Sequence, residues 1–359
     1  MVLTMKEIAA ATGVSVATVS NAFNHPERLS KSKRAEILAA AESLGYGGPH
    51  PGASSLRTGT VGSIGFMITD WLSYAVDDPA STLLLQGIAH SSQTADTVLA
   101  LLPLGGAAGR GGRSESERAR SILQRAVVDG FIAFNLPDEH PAVGSVRQRG
   151  APLVIVDAPK IQGVGWVGID ERAAAGAAAE HLLAQGHRRI GVLVDRLSPD
   201  GYVGAVSEAR VSRGRDLVAR ERLRGYADAF ADRGLPIAEV PIVEAGGYSS
   251  THARRAAEIL LSHESAVSAV LAISDVMAVG VLDICAERGI GVPTALSVVG
   301  FDDIPAAEHR GLTTVHQPLM DKGQWAAEML FAAINGAPTG HLGLPWNLTI
   351  RETTGPPHS

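Results

Sequence analysis

At 359 residues with 45% hydrophobic content, the chain is too long for one ordinary core and too apolar for disorder over most of its length. No apolar run approaches the ~18 residues that span a bilayer, and the single cysteine, Cys285, rules out an intrachain disulfide framework. The net charge of −6 argues against a nucleic-acid binder, yet its distribution does not: residues 1–60 hold six basic residues against four acidic, and the remainder holds 25 against 33.

Thr4-Met5-Lys6-Glu7 fits a capping box, because Glu7 can reach back to the Thr4 backbone while the Thr4 hydroxyl faces the first turn. The helix it opens carries Ile8, Ala9 and Thr12 on one face and stops at Gly13. Ser15 then caps a second helix over Val16 to Phe23. Val14, Val19 and Phe23 are expected inside, and Val16, Ala17, Thr18, Ser20 and Asn21 outside. Two short helices across a glycine-containing turn match the helix-turn-helix pattern. A third helix is expected from a Ser30 cap to Leu44, with Ala35, Leu38, Ala39 and Leu44 at helical spacing. An ordinary helical hairpin fits the same pattern, so the helices alone leave function open.

Four glycines and two prolines between Tyr46 and Val61 mark a linker, in which Ala53 to Arg57 has room for one or two helical turns. From Val61 short apolar strands (VGSIGFMI, DTVLALLPL, GFIAF, APLVIVDA, WVGID, RRIGVLV, AVLAI, LSVVGFDD) alternate with helical stretches. The helices are expected at 80–94, 115–127, 171–185, 223–233, 251–261 and 276–288. Such alternation implies parallel sheets with right-handed crossovers. The number of strands suggests two Rossmann-like lobes with a ligand cleft between them, the periplasmic-binding-protein architecture.

The runs TMKEIAAATGVSVATVSNAFN, LSKSKRAEILAAAESLGY and ASSLRTGTVGSIGF resemble the LacI/GalR family of bacterial transcription regulators. The VSxxTVSxxxN core and the LGY ending of the third helix carry the resemblance, which continues through the C-terminal body. It implies an all-α helix-turn-helix headpiece (1–47), a hinge linker (48–60) and an α/β body of two Rossmann-like lobes (61–350). Residues 351–359 are left as a tail. The hinge would form its short helix only on DNA, with Leu56 wedged into the minor groove.

Several motifs carry no chemistry. The GVGWVG run at Gly163–Gly168 enters a strand instead of joining a strand to a helix, so it is not a dinucleotide fingerprint. The twelve histidines show no metal spacing, and no cofactor or metal site is expected. Polar residues at strand ends are more informative, because open α/β sheets bind ligands beyond the carboxyl ends of their strands. Asn135, Asp157, Ser274, Asp275 and Asp302 hold such places; Asp170, and Asp275 too, also read as helix caps.

The resemblance selects Asn135, Asp157, Arg222, Tyr248, Ser274 and Asp302 as effector contacts, with Ser73 and Tyr74 beside them. Carboxylates, an amide, a forked guanidinium and a tyrosine suit a sugar or a nucleoside. On DNA, Thr18, Ser20, Arg28, Lys31 and Lys33, with Arg34, would hold phosphates, while Val16, Ala17 and Asn21 would read bases. The expected partners are double-stranded operator DNA, a small-molecule effector and a second copy of the chain, in a dimer or a tetramer. The dimer is expected to use 80–94, where Leu83, Leu84 and Ile88 share a face that core burial explains equally well. A cytoplasmic, non-enzymatic repressor is the leading reading. A solute-binding protein or a Rossmann-type enzyme with an incidental helical N-terminus is the alternative; the first would need an export signal and the second a nucleophile, metal set or nucleotide loop.

Overall fold

The computed structural model describes residues 3–47, 60–105, 114–262 and 267–358. The expected hinge helix and Leu56 lie outside the described residues. Two compact units divide at Gly62, and each is taken by itself.

In the first unit, helices α1 (Met5–Thr12), α2 (Val16–Asn24) and α3 (Lys31–Ser43) surround one small core. Local chemistry sets each boundary. Glu7 Oε2 accepts from the Thr4 N–H at 2.6 Å and from its hydroxyl at 3.0 Å, and Gly13 ends α1 in the left-handed conformation. The Ser15 and Ser30 hydroxyls accept from the N–H groups of Thr18 and Lys33 at 3.0 and 3.2 Å. Ile8, Ala9, Val19, Ala22, Ile37 and Ala41 form the core, and Phe23 meets Tyr46 edge-on at 5.7 Å. The inner face of α3 differs from expectation: Ala35, Ala39 and Leu44 are exposed, and Ile37 and Ala41 do the packing. Aliphatic residues run all round α3, so spacing did not single out the stripe. The large Ile37 and the close approach permitted by Ala41 did.

The second unit holds two sheets. The first contains β1 (Ser63–Ile68), β2 (Val98–Pro103), β3 (Gly130–Phe134), β4 (Leu153–Val156) and β5 (Gly165–Gly168). The second contains β6 (Ile190–Val194), β7 (Gly204–Ala205), β8 (Ile242–Glu244), β9 (Ala269–Ala272), β10 (Ser297–Asp302) and β11 (Thr313–His316). The chain then returns to add β12 (His341–Gly343) to the first sheet and β13 (Asn347–Thr349) to the second. The strand orders are β12-β5-β4-β3-β1-β2 and β13-β11-β10-β9-β6-β8-β7. Pairing is parallel except where the short edge strands β7 and β13 run antiparallel. Central strands such as β4 and β6 are buried along their whole length, as near-continuous Val, Ile and Leu runs require.

The described helices of this unit are, in order, α4 (Tyr74–Asp77), α5 (Pro79–His90), α6 (Glu115–Arg125), α7 (Pro141–Arg149), α8 (Glu171–Ala184), α9 (Glu208–Arg213) and α10 (Leu217–Asp232). They continue with α11 (Ser250–Ser262), α12 (Asp275–Arg288), α13 (Pro305–His309) and α14 (Leu319–Ile334). Four differences from expectation matter. Helix α10 starts six residues earlier than 223, where the Asp216 carboxylate accepts from the Ala219 N–H at 3.2 Å. Helix α14 was not anticipated; it crosses back to pack on α5 and on strands of the first lobe. A Cβ on Gly87 would strike the Met320 carbonyl, and one on Gly323 the Leu84 carbonyl, so glycines set that close approach. Leu84 and Ile88 are buried in the first-lobe core, the alternative explanation of their shared face, and Leu83 is half-buried.

The fourth difference concerns the tail beyond residue 350. It belongs to the second lobe: Thr353 is buried, donates to the Val298 carbonyl at 2.7 Å and accepts from the Thr313 N–H at 2.9 Å.

Candidate effector site and the headpiece surface

The carboxyl ends of both sheets face a common, narrow cleft of about 50 Å³. Tyr74, Asp78, Asn135 and Asp157 reach it from the first lobe, and Asp195, Asp216, Arg222, Tyr248, Ser274 and Asp302 from the second, with Gln317 at a crossover. Asn135, Asp157 and Asp302 have positive φ (44°, 63° and 118°), which turns the chain sharply as each strand ends. Short polar side chains tolerate that region better than others.

Arg222, on α10, is the centre of the second-lobe wall. Its Nε donates to Glu171 Oε2 at 2.7 Å and its Nη1 to the Ile273 carbonyl at 2.5 Å, with Asp302 Oδ1 at 3.5 Å. The guanidinium lies 3.5 Å over the Phe301 ring. Burial opposes its charge, but Glu171 and Asp302 outweigh burial and hold the group protonated. Asp302 also accepts from Gln317 Nε2 at 2.5 Å, and burial pushes its carboxyl up to about 7 against the pull of Arg222.

On the first-lobe side, Asp157 receives the Lys322 ammonium at 2.5 Å; burial raises its pKa, and Lys322 opposes that rise. Lys322 also donates to Gln317 and lies 3.9 Å from Glu171. Towards the mouth, Tyr74 and Tyr248 pack with ring centroids 5.1 Å apart, and the Tyr248 hydroxyl donates to Asp216 Oδ2 at 3.1 Å. Burial, then the neighbouring Asp216, pushes the Asp195 carboxyl up to about 8. Asp78 and Asp216 are likewise raised by burial.

Seven of the eight expected effector residues line this cleft: Tyr74, Asn135, Asp157, Arg222, Tyr248, Ser274 and Asp302. Ser73 does not; it precedes α4 and only Tyr74 turns inward. Asp78, Asp195, Asp216 and Gln317 were missed. Asp195 follows a strand and obeyed the rule that found the others. Asp78 and Asp216 stand before helices and cap them, accepting from the Ser81 and Ala219 N–H groups. Asp275 is not the cap expected of it: its buried carboxylate accepts from the Ile304 N–H at 2.9 Å and the Thr314 hydroxyl at 2.6 Å, which ties the end of β10 to β11. Among the described residues no cluster of His, Cys, Asp or Glu has the geometry to hold a metal ion, and no helix is long and apolar enough to cross a membrane.

On the headpiece, Val16 (41% exposed) and Ala17 face outward, and Thr18 and Asn21 are half-buried. Ser20 is the exception. It is only 4% exposed and its hydroxyl takes a hydrogen bond from Asn24 Nδ2 at 3.3 Å, so it is not free to hold a phosphate as expected. The buried arc of α2 is wide enough to include a small hydroxyl beside Val19 and Ala22. Arg28 and Lys31 are exposed, and Lys33 pairs with Glu36 at 2.9 Å. Arg34 turns inward, donating from Nε to the Ala22 carbonyl at 3.1 Å.

Residues 4–48 match the family described as bacterial regulatory proteins, lacI family, and residues 179–354 match the periplasmic binding protein-like domain. A helix-turn-helix-type transcriptional regulator of Mycolicibacterium smegmatis is 39% identical over 333 residues, 91% of this chain and 89% of that protein. The chain belongs to the LacI family. It is a transcriptional regulator of that family and not an enzyme. Among solved structures, a complex of the transcriptional regulator CelR with cellobiose aligns with a TM-score of 0.68 at 25% identity, covering 98% of this chain and 99% of that one. The lac repressor dimer bound to operator aligns with a TM-score of 0.77 at 24% identity, covering 99% of this chain and 100% of that one, a likeness of fold.

Proposed function

We propose that this LacI-family regulator is a repressor that binds a near-palindromic operator as a dimer and is switched by an uncharged polyhydroxyl ligand, a sugar or a near relative, in the interlobe cleft. The observation that carries the ligand class is the charge of the cleft. Five carboxylates, Asp78, Asp157, Asp195, Asp216 and Asp302, line it against one lining cation among the described residues, Arg222, already paired with Glu171. Carboxylates and their protonated forms accept from and donate to hydroxyls, whereas a phosphate or uronate would find no unpaired cation among the lining residues. A nucleoside fits less well, because Tyr248 has Tyr74 on its ring and Arg196 at 4.6 Å, leaving no open flat face. The CelR complex with cellobiose supports the sugar class.

On DNA, Val16, Ala17 and Asn21 would read base edges, while Thr18, Arg28, Lys31 and Lys33 would hold phosphates. A two-fold dimer places two such helices in successive major grooves, and the lac repressor dimer on operator supports that arrangement. Ligand closing the cleft would couple to operator affinity by about 1–3 kcal/mol.

The test is a gel shift on the intergenic DNA upstream of the regulator's own gene, with neutral sugars and polyols, nucleosides and sugar phosphates added separately. The reading requires a specific shift that a neutral polyhydroxyl compound alters. A shift altered only by sugar phosphates would overturn the ligand class, and no specific shift under any condition would overturn the regulator's proposed mode of action.

A further inference from the structure

The chain crosses between the lobes after β5, after β11 and between β12 and β13. Away from those crossings, three arginines of the second lobe meet acidic residues of the first. Arg196, just after β6, donates from Nη1 to Asp70 Oδ2 at 3.3 Å and from Nη2 to Thr69 Oγ1 at 3.4 Å. Arg215 donates to Glu115 Oε2 at 3.2 and 3.3 Å, and its carbonyl accepts from the Asp138 N–H at 2.8 Å. Arg220 Nη2 donates to Asp138 Oδ2 at 2.6 Å.

Arg215 lies in the stretch 198–216, the segment between β6 and α10, and Arg220 Nη1 donates to its Gly214 carbonyl at 2.6 Å. The segment is fastened to the second lobe at both ends: the Leu197 carbonyl accepts from the N–H groups of Arg215 and Asp216 at 2.8 and 3.0 Å. In the middle, Arg210 bridges Asp200 and the fully buried Glu244 and lies 4.1 Å over the Tyr202 ring. The segment therefore moves with the second lobe and presents Arg215 to the first.

We infer that this segment and the residues flanking it form a strap: Arg196, Arg215 and Arg220 latch the cleft shut by closing on Asp70, Glu115 and Asp138, and the latch opens and shuts as a salt-sensitive unit whatever ligand the cleft takes. The Arg215–Glu115 and Arg220–Asp138 pairs are partly exposed and suit that task, because such pairs are weak individually and give way together, whereas an apolar seam between them would weld the lobes. The inner pair does a second job. Arg196 also stacks on Tyr248, a wall of the ligand space, so a ligand that moves Tyr248 acts directly on the latch.

The experiment measures the distance between spin labels on exposed positions of the two lobes, Gln148→Cys and Glu258→Cys, in the full-length protein without ligand. The native Cys285 is buried, with its thiol pushed up to about 11, and does not compete for label. Raising salt from roughly 0.01 M to roughly 1 M shortens the screening length from about 30 Å to about 3 Å. The strap requires a second, longer-distance population to grow over that range. The same population must appear at low salt in Arg196→Met/Arg215→Met/Arg220→Met and, independently, in Asp70→Asn/Glu115→Gln/Asp138→Asn, where the arginines are intact and folding is checked by circular dichroism. Arg172→Met, which breaks the Arg172–Asp228 pair within the second lobe, must not produce it. One unchanged distance in both triple variants, or equal opening in the Arg172 control, overturns the strap.

Discussion

The ammonium of Lys322 lies 2.5 Å from Oδ1 of Asp157, and Lys322 is fully buried. Lys322 stands on α14 and Asp157 at the end of β4, both in the first lobe; Glu171, which opens α8 in the second lobe, lies 3.9 Å away. A fixed charge thus sits beside two of the chain's crossings between the lobes, and its partners also line the cleft or support Arg222.

Removing that charge should cost more than the ion pair is worth. Lys322→Met leaves Asp157 buried and uncompensated, and the expected loss is about 3–5 kcal/mol of unfolding free energy. Urea denaturation measures it. Lys322→Met/Asp157→Asn should recover a substantial part of the loss, and a double variant no better than the single would place the damage in packing instead.

Arg222 should divide ligand response from DNA binding. Arg222→Lys keeps the charge but loses the fork that reaches Glu171 and the Ile273 carbonyl together, and the flat face over Phe301. The expected outcome is a loss of about 100-fold or more in effector sensitivity, equivalent to about 3 kcal/mol, with operator affinity in the absence of effector within about threefold of the unmutated protein. Titration by fluorescence anisotropy on labelled operator DNA reads both quantities.

The raised carboxyls predict a stability that falls with pH. Asp195 and Asp302, pushed up to about 8 and about 7, stay protonated in the folded state over a range where the unfolded chain has already released those protons. The folded state then binds more protons, so stability declines as pH rises from about 4 towards about 8, and the full penalty remains above that. Asp195→Asn should flatten this slope and raise the melting temperature at the alkaline end. A steeper slope in that variant would contradict the assignment.

The headpiece makes a paired prediction. Lys31→Ala should lower the slope of log affinity against log salt by about one unit and weaken operator and unrelated DNA alike. Ser20→Ala should leave that slope unchanged and instead cost about 1 kcal/mol of stability, because its hydroxyl is bonded to Asn24 inside the headpiece. Thermal melts alongside salt titrations separate the two.

Features that depend on neighbours in sequence could be read from the chain. Thr4, Gly13, Ser15 and Ser30 set the headpiece helices through bonds that span three or four residues. Strand-to-helix alternation implied two parallel sheets, and Asn135, Asp157, Ser274 and Asp302 at strand ends reached the cleft because that position points them there.

Features that depend on partners far along the chain could not. Lys322 meets Asp157 across 165 residues, Arg220 meets Asp138 across 82, and Arg196 meets Asp70 across 126. In sequence each is one more surface charge on a helix or loop. Ser20 looked solvent-facing until α2 was seen to bury a wide arc, and α14 is recognisable as a core helix only once Gly87 and Gly323 bring it against α5. The sequence by itself determined which segments fold and where ligand-facing groups fall, because hydrogen bonding and hydrophobic period act locally. The tertiary structure alone decided which charges are buried and paired, because desolvation and Coulomb energy depend on distances that only packing sets.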